Sequence, residues 1–373
     1  SVSGTFNSKA STVTGIKAFE DNASIKSYMS YSVSTKLMGL YTLSQNVPVT
    51  FQVTRTILLL PEQKMRPRVS DSRIGIFNTN RLNFDKNEDF IKTYSMIHRW
   101  NLQPKDTAAY LRGELVEPVK PIVFYLDDAF PAAWAKGARM GILRWNKAFE
   151  KIGFKNVIQI LDFPKDDPNF DPDNLKYSCI RYVISPSEGI NDNVWTDPRT
   201  GEIISANIYI CHNLPMQIQR DRLLQTAAYD KSARTLTLNE EDFGKAFVSM
   251  LMRNIGHCLG LTDNLAGSAA YSADSLRSAG FTKEKGLSSS VMDDLTFNYL
   301  LSADHYKKGD SWCQESIGEY DYWAIRWLYG SFSNADTPEK ESAMLKKLVS
   351  EKSGNPVYMY GKRQNRRAFY DPR

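Results

Sequence analysis

The sequence predicts an α+β protein in which a β-rich first part precedes a domain that combines a mixed sheet with helices. Apolar and polar side chains alternate along residues 29–33 and 47–53, and this period of two is typical of half-buried strands. No amphipathic helix is predicted before about residue 130. After Pro118, short apolar strands alternate with stretches whose apolar residues recur every three or four positions, which indicates helices packed on a sheet.

The composition sets the class of protein. A chain of 373 residues with 42% apolar and 24% charged side chains can form about two globular domains. The net charge of +5 is dispersed along the chain, so we do not expect nucleic-acid binding. The apolar runs are too short for a transmembrane segment. We predict a β-rich N-terminal domain at 1–117, a second domain at 118–332 and a helical, polar C-terminal extension at 333–373.

Local signals define the elements of the second domain. We predict strands at 121–126, 178–184 and 204–210, and a helix at 132–151 that ends before Gly153. The acidic, proline-containing residues 162–173 lack the glycine-centred spacing of a calcium loop and are interpreted as an ordinary loop. The basic group of Lys64, Arg66, Arg68 and Arg73 is interpreted as a solvated turn.

One helix contains the residues that suggest a function. Asn239 is a good N-cap and Gly260 a natural stop. Residues 253–263 read RNIGHCLGLTD and align with the zinc-protease signature H-E-x-x-H-x-x-G-x-x-H. In that signature two histidines bind zinc from one helix face, the glutamate is the general base, and the glycine lets the chain turn to supply a third ligand. Here His257 and Gly260 match the signature.

The surrounding sequence is similar to a known family. Residues 289–293, Ser-Ser-Val-Met-Asp, resemble a Met-turn with Met292 at its centre. Together with His257 and Gly260, five stretches resemble the Met-zincins, large secreted zinc-dependent metalloproteases of Gram-negative gut bacteria. These stretches are residues 145–154, 171–182, 197–203, 256–261 and 274–278. The resemblance is close over about 118–330 and looser over the first part. Active members look longer at both ends, so we expect this chain to be a fragment.

The resemblance implies a zincin or metzincin-like domain, with a twisted mixed sheet, a long active-site helix and the Met-turn. It implies zinc in the parent family, peptide hydrolysis, and a secreted, periplasmic or cell-surface location. It also suggests that strand 204–210 is the sheet edge that pairs with a substrate peptide. The candidate substrate-binding residues are therefore Ser205, Asn207 and Tyr209.

At the catalytic positions this sequence does not match the family. Arg253 stands at the first ligand position, and its guanidinium offers no lone pair to a metal. Asn254 stands at the base position and cannot accept a proton from water. Asp263, at the third ligand position, can still bind a metal, whereas Asp294 replaces the tyrosine usual after the Met-turn. We therefore expect a degenerate site without metal or cofactor, with His257 and Asp263 as the ligands if one binds.

If the pocket holds no metal, we expect another positive charge to take its place there. A zincin pocket is built around a dication, and an unpaired carboxylate left in it would be costly. We predict that the guanidinium of Arg253 pairs with Asp263 or Asp294. We name Arg253, Asn254, His257, Asp263 and Asp294 the relic site.

Three functions remain open from the sequence. The first is a non-catalytic pseudopeptidase that retains a cleft for a peptide or protein ligand. The second is an active metal-dependent peptidase with rearranged ligands drawn from His257, Asp263 and Asp294. The third is a surface or structural binding protein that acts through the β-rich domain. The isolated histidines His98, His212 and His305 are expected to be surface or hydrogen-bonded core residues, and Cys258 a buried small apolar residue.

Overall fold

The computed structural model describes residues 1–87, 89–304, 306–307, 310–332 and 337–362. The chain forms two compact units, one of residues 1–63 and 166–177 and the other of residues 64–165 and 178–373. The first unit is built on strands, whereas the second combines strands and helices, so the predicted α+β class is confirmed. The domain boundaries placed after residues 117 and 332 remain predictions.

The first unit is an antiparallel three-stranded sheet in the order β1-β2-β3. The strands are β1 Val2–Ala18, β2 Asn22–Leu37 and β3 Tyr41–Leu58. Of the loop predicted at 162–173, residues 166–173 form a loop of this unit, whereas residue 162 is the end of a strand in the second unit. In this loop the Asp171 and Asp173 carboxylates each lie 2.6 Å from a lysine Nζ, that of Lys17 and that of Lys26 respectively.

The second unit contains a hairpin, β4 Asn78–Asn83 and β5 Lys92–Ile97, and a five-stranded sheet in the order β7-β6-β8-β10-β9. Four strands of the larger sheet run parallel, and β9 alone pairs antiparallel. Its strands are β6 Ile122–Leu126, β7 Ile158–Asp162, β8 Ser178–Val183, β9 Ile190–Thr196 and β10 Ile203–Cys211.

Helices of the second unit lie between and after these strands. The helix predicted at 132–151 is divided near Trp145 into two helices. Trp145 is fully buried, and its indole Nε1 donates to the carbonyl of Met252. The helices are α1 Thr107–Leu111, α2 Ala132–Leu143, α3 Asn146–Glu150, α4 Leu214–Thr226, α5 Glu240–Cys258, α6 Ala273–Leu276, α7 Ala279–Lys285, α8 Glu319–Tyr329 and α9 Pro338–Ser350.

The helix with the signature is α5, which packs against α2 and the sheet. Asn239 caps it as predicted, since its Oδ1 accepts from the Asp242 N–H at 2.9 Å. Gly260 follows its last turn with a φ of +101°, and a Cβ there would lie 2.2 Å from the carbonyl oxygen of His98. Only glycine therefore fits where the chain turns away toward Asp263.

The position of β10 corrects the sequence interpretation. β10 lies between β8 and β9, so it is not the sheet edge: it pairs with β9 from Ile203 to Ile210 and with β8 from Ile208 to Cys211. Ser205 and Asn207 are buried, and Asn207 Oδ1 accepts from the Cys179 N–H at 2.6 Å. The interpretation of Ser205, Asn207 and Tyr209 as edge residues that pair with a peptide is wrong. The outer strand is β9, whose sequence Ile-Asn-Asp-Asn-Val-Trp-Thr alternates too weakly to predict a strand.

The basic group before β4 is also different from the prediction. Arg68 is 3% exposed rather than solvated, and its Nη2 lies 2.7 Å from Glu341 Oε1. Its Nη1 donates to the carbonyl of Leu328 at the end of α8. A positive charge at a helix C-terminus complements the helix dipole, so this arginine ties α8 to α9.

Candidate functional site

The relic site lies in a cleft of about 440 Å³ in the second unit. Helix α5 places Arg253, Asn254 and His257 along one wall, because residues three and four apart share a helix face. Asp192 on β9 and Asp294 after the Met-turn also line the cleft. The sequence-predicted residues of the relic site are thus close together, with Asp263 hydrogen-bonded to two of them.

Arg253 forms ion pairs with both of the predicted carboxylates. Its Nη2 lies 2.8 Å from Asp263 Oδ1, and its Nη1 lies 3.1 Å from Asp294 Oδ1. Its Nε also donates to Asp263 Oδ1, at 3.1 Å. The predicted pairing of Arg253 is confirmed, and it places a permanent positive charge between these two carboxylates.

His257 is held between two carboxylates. Its Nδ1 lies 3.0 Å from Asp192 Oδ1, and its Nε2 lies 2.9 Å from Asp263 Oδ1. Burial lowers the pKa of His257, but the hydrogen bonds to Asp192 and Asp263 outweigh burial and raise that pKa to about 8. The imidazole is therefore mostly protonated at neutral pH, and both of its nitrogens donate.

Asp263 is correspondingly fixed in its charged form. Burial raises its pKa, but the hydrogen bond from His257 and the charge of Arg253 are stronger together and lower the pKa to about 2. Asp263 thus carries a full negative charge at any physiological pH. The side chain that could still bind a metal already accepts hydrogen bonds from two cations.

Asn254 occupies the position of the general base. Its Nδ2 donates to the carbonyl of Met250 one turn earlier, at 2.9 Å. A carboxamide has no basic site at neutral pH, so this side chain cannot take a proton from water. It lines the cleft and can only donate or accept hydrogen bonds there.

The Met-turn packs beneath α5. Met292 is fully buried, as predicted, and a Cβ at Gly256 would lie only 2.1 Å from its Sδ. Gly256 therefore lets the methionine approach the helix backbone. The turn is fixed from below by Asp321 on α8, which accepts from Ser290 Oγ at 2.6 Å and from the Val291 N–H at 2.8 Å.

Asp192 and Asp321 were not found by sequence reasoning. The available signals were weak: Asp192 is a charged residue within an otherwise unrecognised strand, and Asp321 lies in an aromatic-rich helix. Burial raises the pKa of Asp321 to about 6 although three hydrogen bonds act in the opposite direction. Neither contact can be inferred from spacing, because the partners are far apart in sequence.

The other singled-out residues lie outside the cleft lining. His98 Nε2 lies 2.8 Å from Thr79 Oγ1, and His212 Nδ1 bonds the Tyr182 hydroxyl, so both have the hydrogen-bonded role that was predicted. His305 lies outside the described residues. Cys258 is fully buried as predicted, and burial raises the pKa of its thiol. All four cysteines are buried, and no disulfide joins any two of them.

The donor set does not fit a zinc ion. A zincin site needs at least three donors with free lone pairs, but here the first position is a guanidinium, and His257 and Asp263 are hydrogen-bonded to each other. Among the described residues, no group of three or more His, Cys, Asp or Glu side chains is arranged to hold a metal ion. The chemistry of these side chains is therefore the reason why the site does not fit a zinc ion.

The fold and the cleft define a metzincin-like protein, with a mixed sheet, a long helix and a buried methionine in the turn beneath it. In agreement, residues 236–373 match the model of a family described as Met-zincin. The C-terminal part of the chain is thus similar to a metzincin-like, metalloprotease-like family whose parent members bind zinc, in line with the resemblance seen in the sequence. Residues 1–105 match the model of a domain of unknown function (DUF5117).

The remaining comparisons add no further relative. No curated protein and no solved structure matches the chain significantly. Within the described residues, no helix combines the length and the apolar character needed to cross a bilayer.

Proposed function

We propose that the protein is a pseudopeptidase, a metzincin-like protein that binds an extended peptide or partner segment in its cleft without hydrolysing it. The observation that carries this proposal is the contact of Arg253 and His257 with the same carboxylate, Asp263. Peptide hydrolysis in this family needs a metal to polarise the carbonyl and a base to activate water. Neither requirement is met by a guanidinium, an amide and an imidazolium.

The binding surface that we propose is the outer edge of β9. Its inner side pairs with β10 from Ile190 to Thr196, and no described strand pairs with its outer side. Such an edge presents free backbone N–H and C=O groups, to which an extended peptide can add as a further strand. Gly189, Ile190 and Asp192 line the cleft, so a peptide on this edge would pass directly over the relic site.

The test is binding of a library of extended peptides to the full chain, measured by fluorescence anisotropy. Strand addition predicts that N-methylation at alternate residues of a bound peptide weakens binding, while N-methylation at the intervening residues does not. Asn254→Trp, which would fill the cleft, should weaken binding at least about tenfold. The matched control is Leu224→Trp on α4, where the native side chain is 77% exposed and does not line the cleft.

Two outcomes would contradict the proposal. Cleavage of the bound peptides, suppressed by a chelator and accompanied by one equivalent of zinc, would establish a peptidase with rearranged ligands. If neither Asn254→Trp nor backbone N-methylation of the peptide weakens binding, the cleft is not the binding site. By family resemblance we also propose that the protein functions outside the cytoplasm, in the periplasm, at the cell surface or as a secreted protein.

A further inference from the structure

The sheet of the first unit has one face that is apolar across all three strands. Strand register and alternation place the same-face residues in rows, and the rings confirm the rows: Phe6 and Tyr31 lie 5.5 Å apart, and Tyr31 and Phe51 lie 6.2 Å apart. We call this surface the apolar sheet face. Its members are Val2, Phe6, Val13, Ile16, Ile25, Met29, Tyr31, Val33, Val47, Val49, Phe51, Val53 and Ile57.

This face is open to solvent in the described part of the chain. Ile16 is 68% exposed, Phe51 53% and Ile57 65%. A continuous apolar patch of this kind is unusual on a monomer and marks an interaction surface.

The opposite face of the same sheet is polar and already carries other chain segments. The hydroxyls of Ser30 and Thr50 lie 2.7 Å apart on it, and the 166–177 loop is attached there through Lys26 and Asp173. The loop that packs on this sheet therefore lies on the polar face, which can remain in contact with water. The apolar sheet face is the one that gains free energy from a partner.

The size of the face fits a dimer of this chain. The three strands have 17, 16 and 18 residues. At standard strand rise and spacing they form a face of about 700–800 Å². A stable protein–protein interface buries about 800 Å² on each partner, which is the area that this face offers.

We propose that a second copy of this chain covers the apolar sheet face, so that two sheets pack face to face about a two-fold axis. Packed sheets of this type form the core of a β-sandwich, and a two-fold interface brings the same patch together from both copies. Among the residues in strand register, Arg55 is the one charged side chain on this face, and its Nη2 donates to Ser27 Oγ at 3.1 Å. A nearly uncharged face favours a matching apolar face over a charged partner.

The test is sedimentation equilibrium of the full chain over a range of concentrations, with Phe51→Lys as the disrupting variant. The matched control is Gln52→Lys, since Gln52 is the next residue of β3 and pairs with Tyr28 on the polar face. We expect the natural chain and Gln52→Lys to dimerise. A lysine at position 51 would be buried unpaired between the sheets, so Phe51→Lys should raise the dimer dissociation constant at least about tenfold.

A second measurement covers the case in which Phe51→Lys does not fold. The chain's own cysteines are buried, so a single Tyr31→Cys substitution can be cross-linked with a short bismaleimide, with Tyr28→Cys as the opposite-face control. Cross-linking of Tyr31→Cys alone supports the dimer. The proposal is overturned if the natural chain stays monomeric, or if the Phe51→Lys variant dimerises as well as the natural chain. It is also overturned if the chain is a monomer that co-sediments with phosphatidylcholine vesicles.

Discussion

Arg253 and His257 donate to the same oxygen atom, Oδ1 of Asp263, at 2.8 Å and 2.9 Å. In the zincin signature these three positions hold the three metal ligands. Here Arg253 and His257 on the helix supply positive charge, and Asp263 supplies the negative charge with which both of them pair. This arrangement keeps the partly buried carboxylate of Asp263 paired without a metal ion.

The first prediction concerns restoration of the metal site. The double variant Arg253→His with Asn254→Glu recreates H-E-x-x-H together with His257, and removes the cation that holds Asp263. We expect it to bind about one equivalent of zinc, measured by mass spectrometry after dialysis, whereas the natural chain should retain less than about a tenth of an equivalent. Equal zinc content in the two proteins would contradict this account of the site.

The second prediction concerns the stability supplied by Arg253. Arg253→Ala removes one ion-pair partner from Asp263 and one from Asp294. Because the Arg253 side chain is 27% exposed, solvent screens part of the loss, and we expect the free energy of unfolding to fall by about 1–2 kcal/mol. The control is Arg112→Ala, which removes an exposed pair with Glu114 and should cost less than about 0.5 kcal/mol. Urea denaturation distinguishes the two.

The third prediction concerns pH. The pKa of His257 is raised from 6.5 to about 8 by Asp192 and Asp263, with Arg253 the other charge beside the latter. A raised folded-state pKa means that the stabilisation is complete below pH 6.5 and is lost as the pH rises through about 8.

The expected size of this effect is on the order of 2 kcal/mol in the free energy of unfolding. Denaturation curves between pH 6 and 9 measure it, and Asp192→Asn should reduce it because one of the two carboxylate partners of His257 becomes neutral. A His257→Gln protein with the same pH dependence as the natural chain would show that another group is responsible.

The fourth prediction concerns the support of the Met-turn by Asp321. Asp321→Ala leaves the hydroxyl of Ser290 and the N–H groups of Val291 and Gly318 without their acceptor in a fully buried location. We expect the free energy of unfolding to fall by about 2–4 kcal/mol. The matched control is Glu319→Ala in the same helix turn, where the side chain is exposed and the change should be within about 0.5 kcal/mol. Similar losses for both variants would mean that the turn does not depend on Asp321.

Local signals were sufficient to predict much of the fold. Helix α5 follows from Asn239 and Gly260, and strands β2 and β3 follow from the alternation at residues 29–33 and 47–53, because caps and periodicity act over a few residues. The same reasoning failed for β9, since its polar residues pair only because β10 lies beside them. The edge was consequently assigned to β10, where Asn207 is buried.

The sequence by itself therefore determined the fold class, the helix that carries the relic site, and the presence of Arg253 and Asn254 where the zincin signature has its first ligand and its base. Tertiary structure alone decided which charges meet. His257 and Asp192 are 65 residues apart, and Arg68 and Glu341 are 273 apart, yet both pairs are in direct contact. The physical reason is that pairing and burial set the state of a titratable side chain, and both depend on neighbours that only the folded chain brings together.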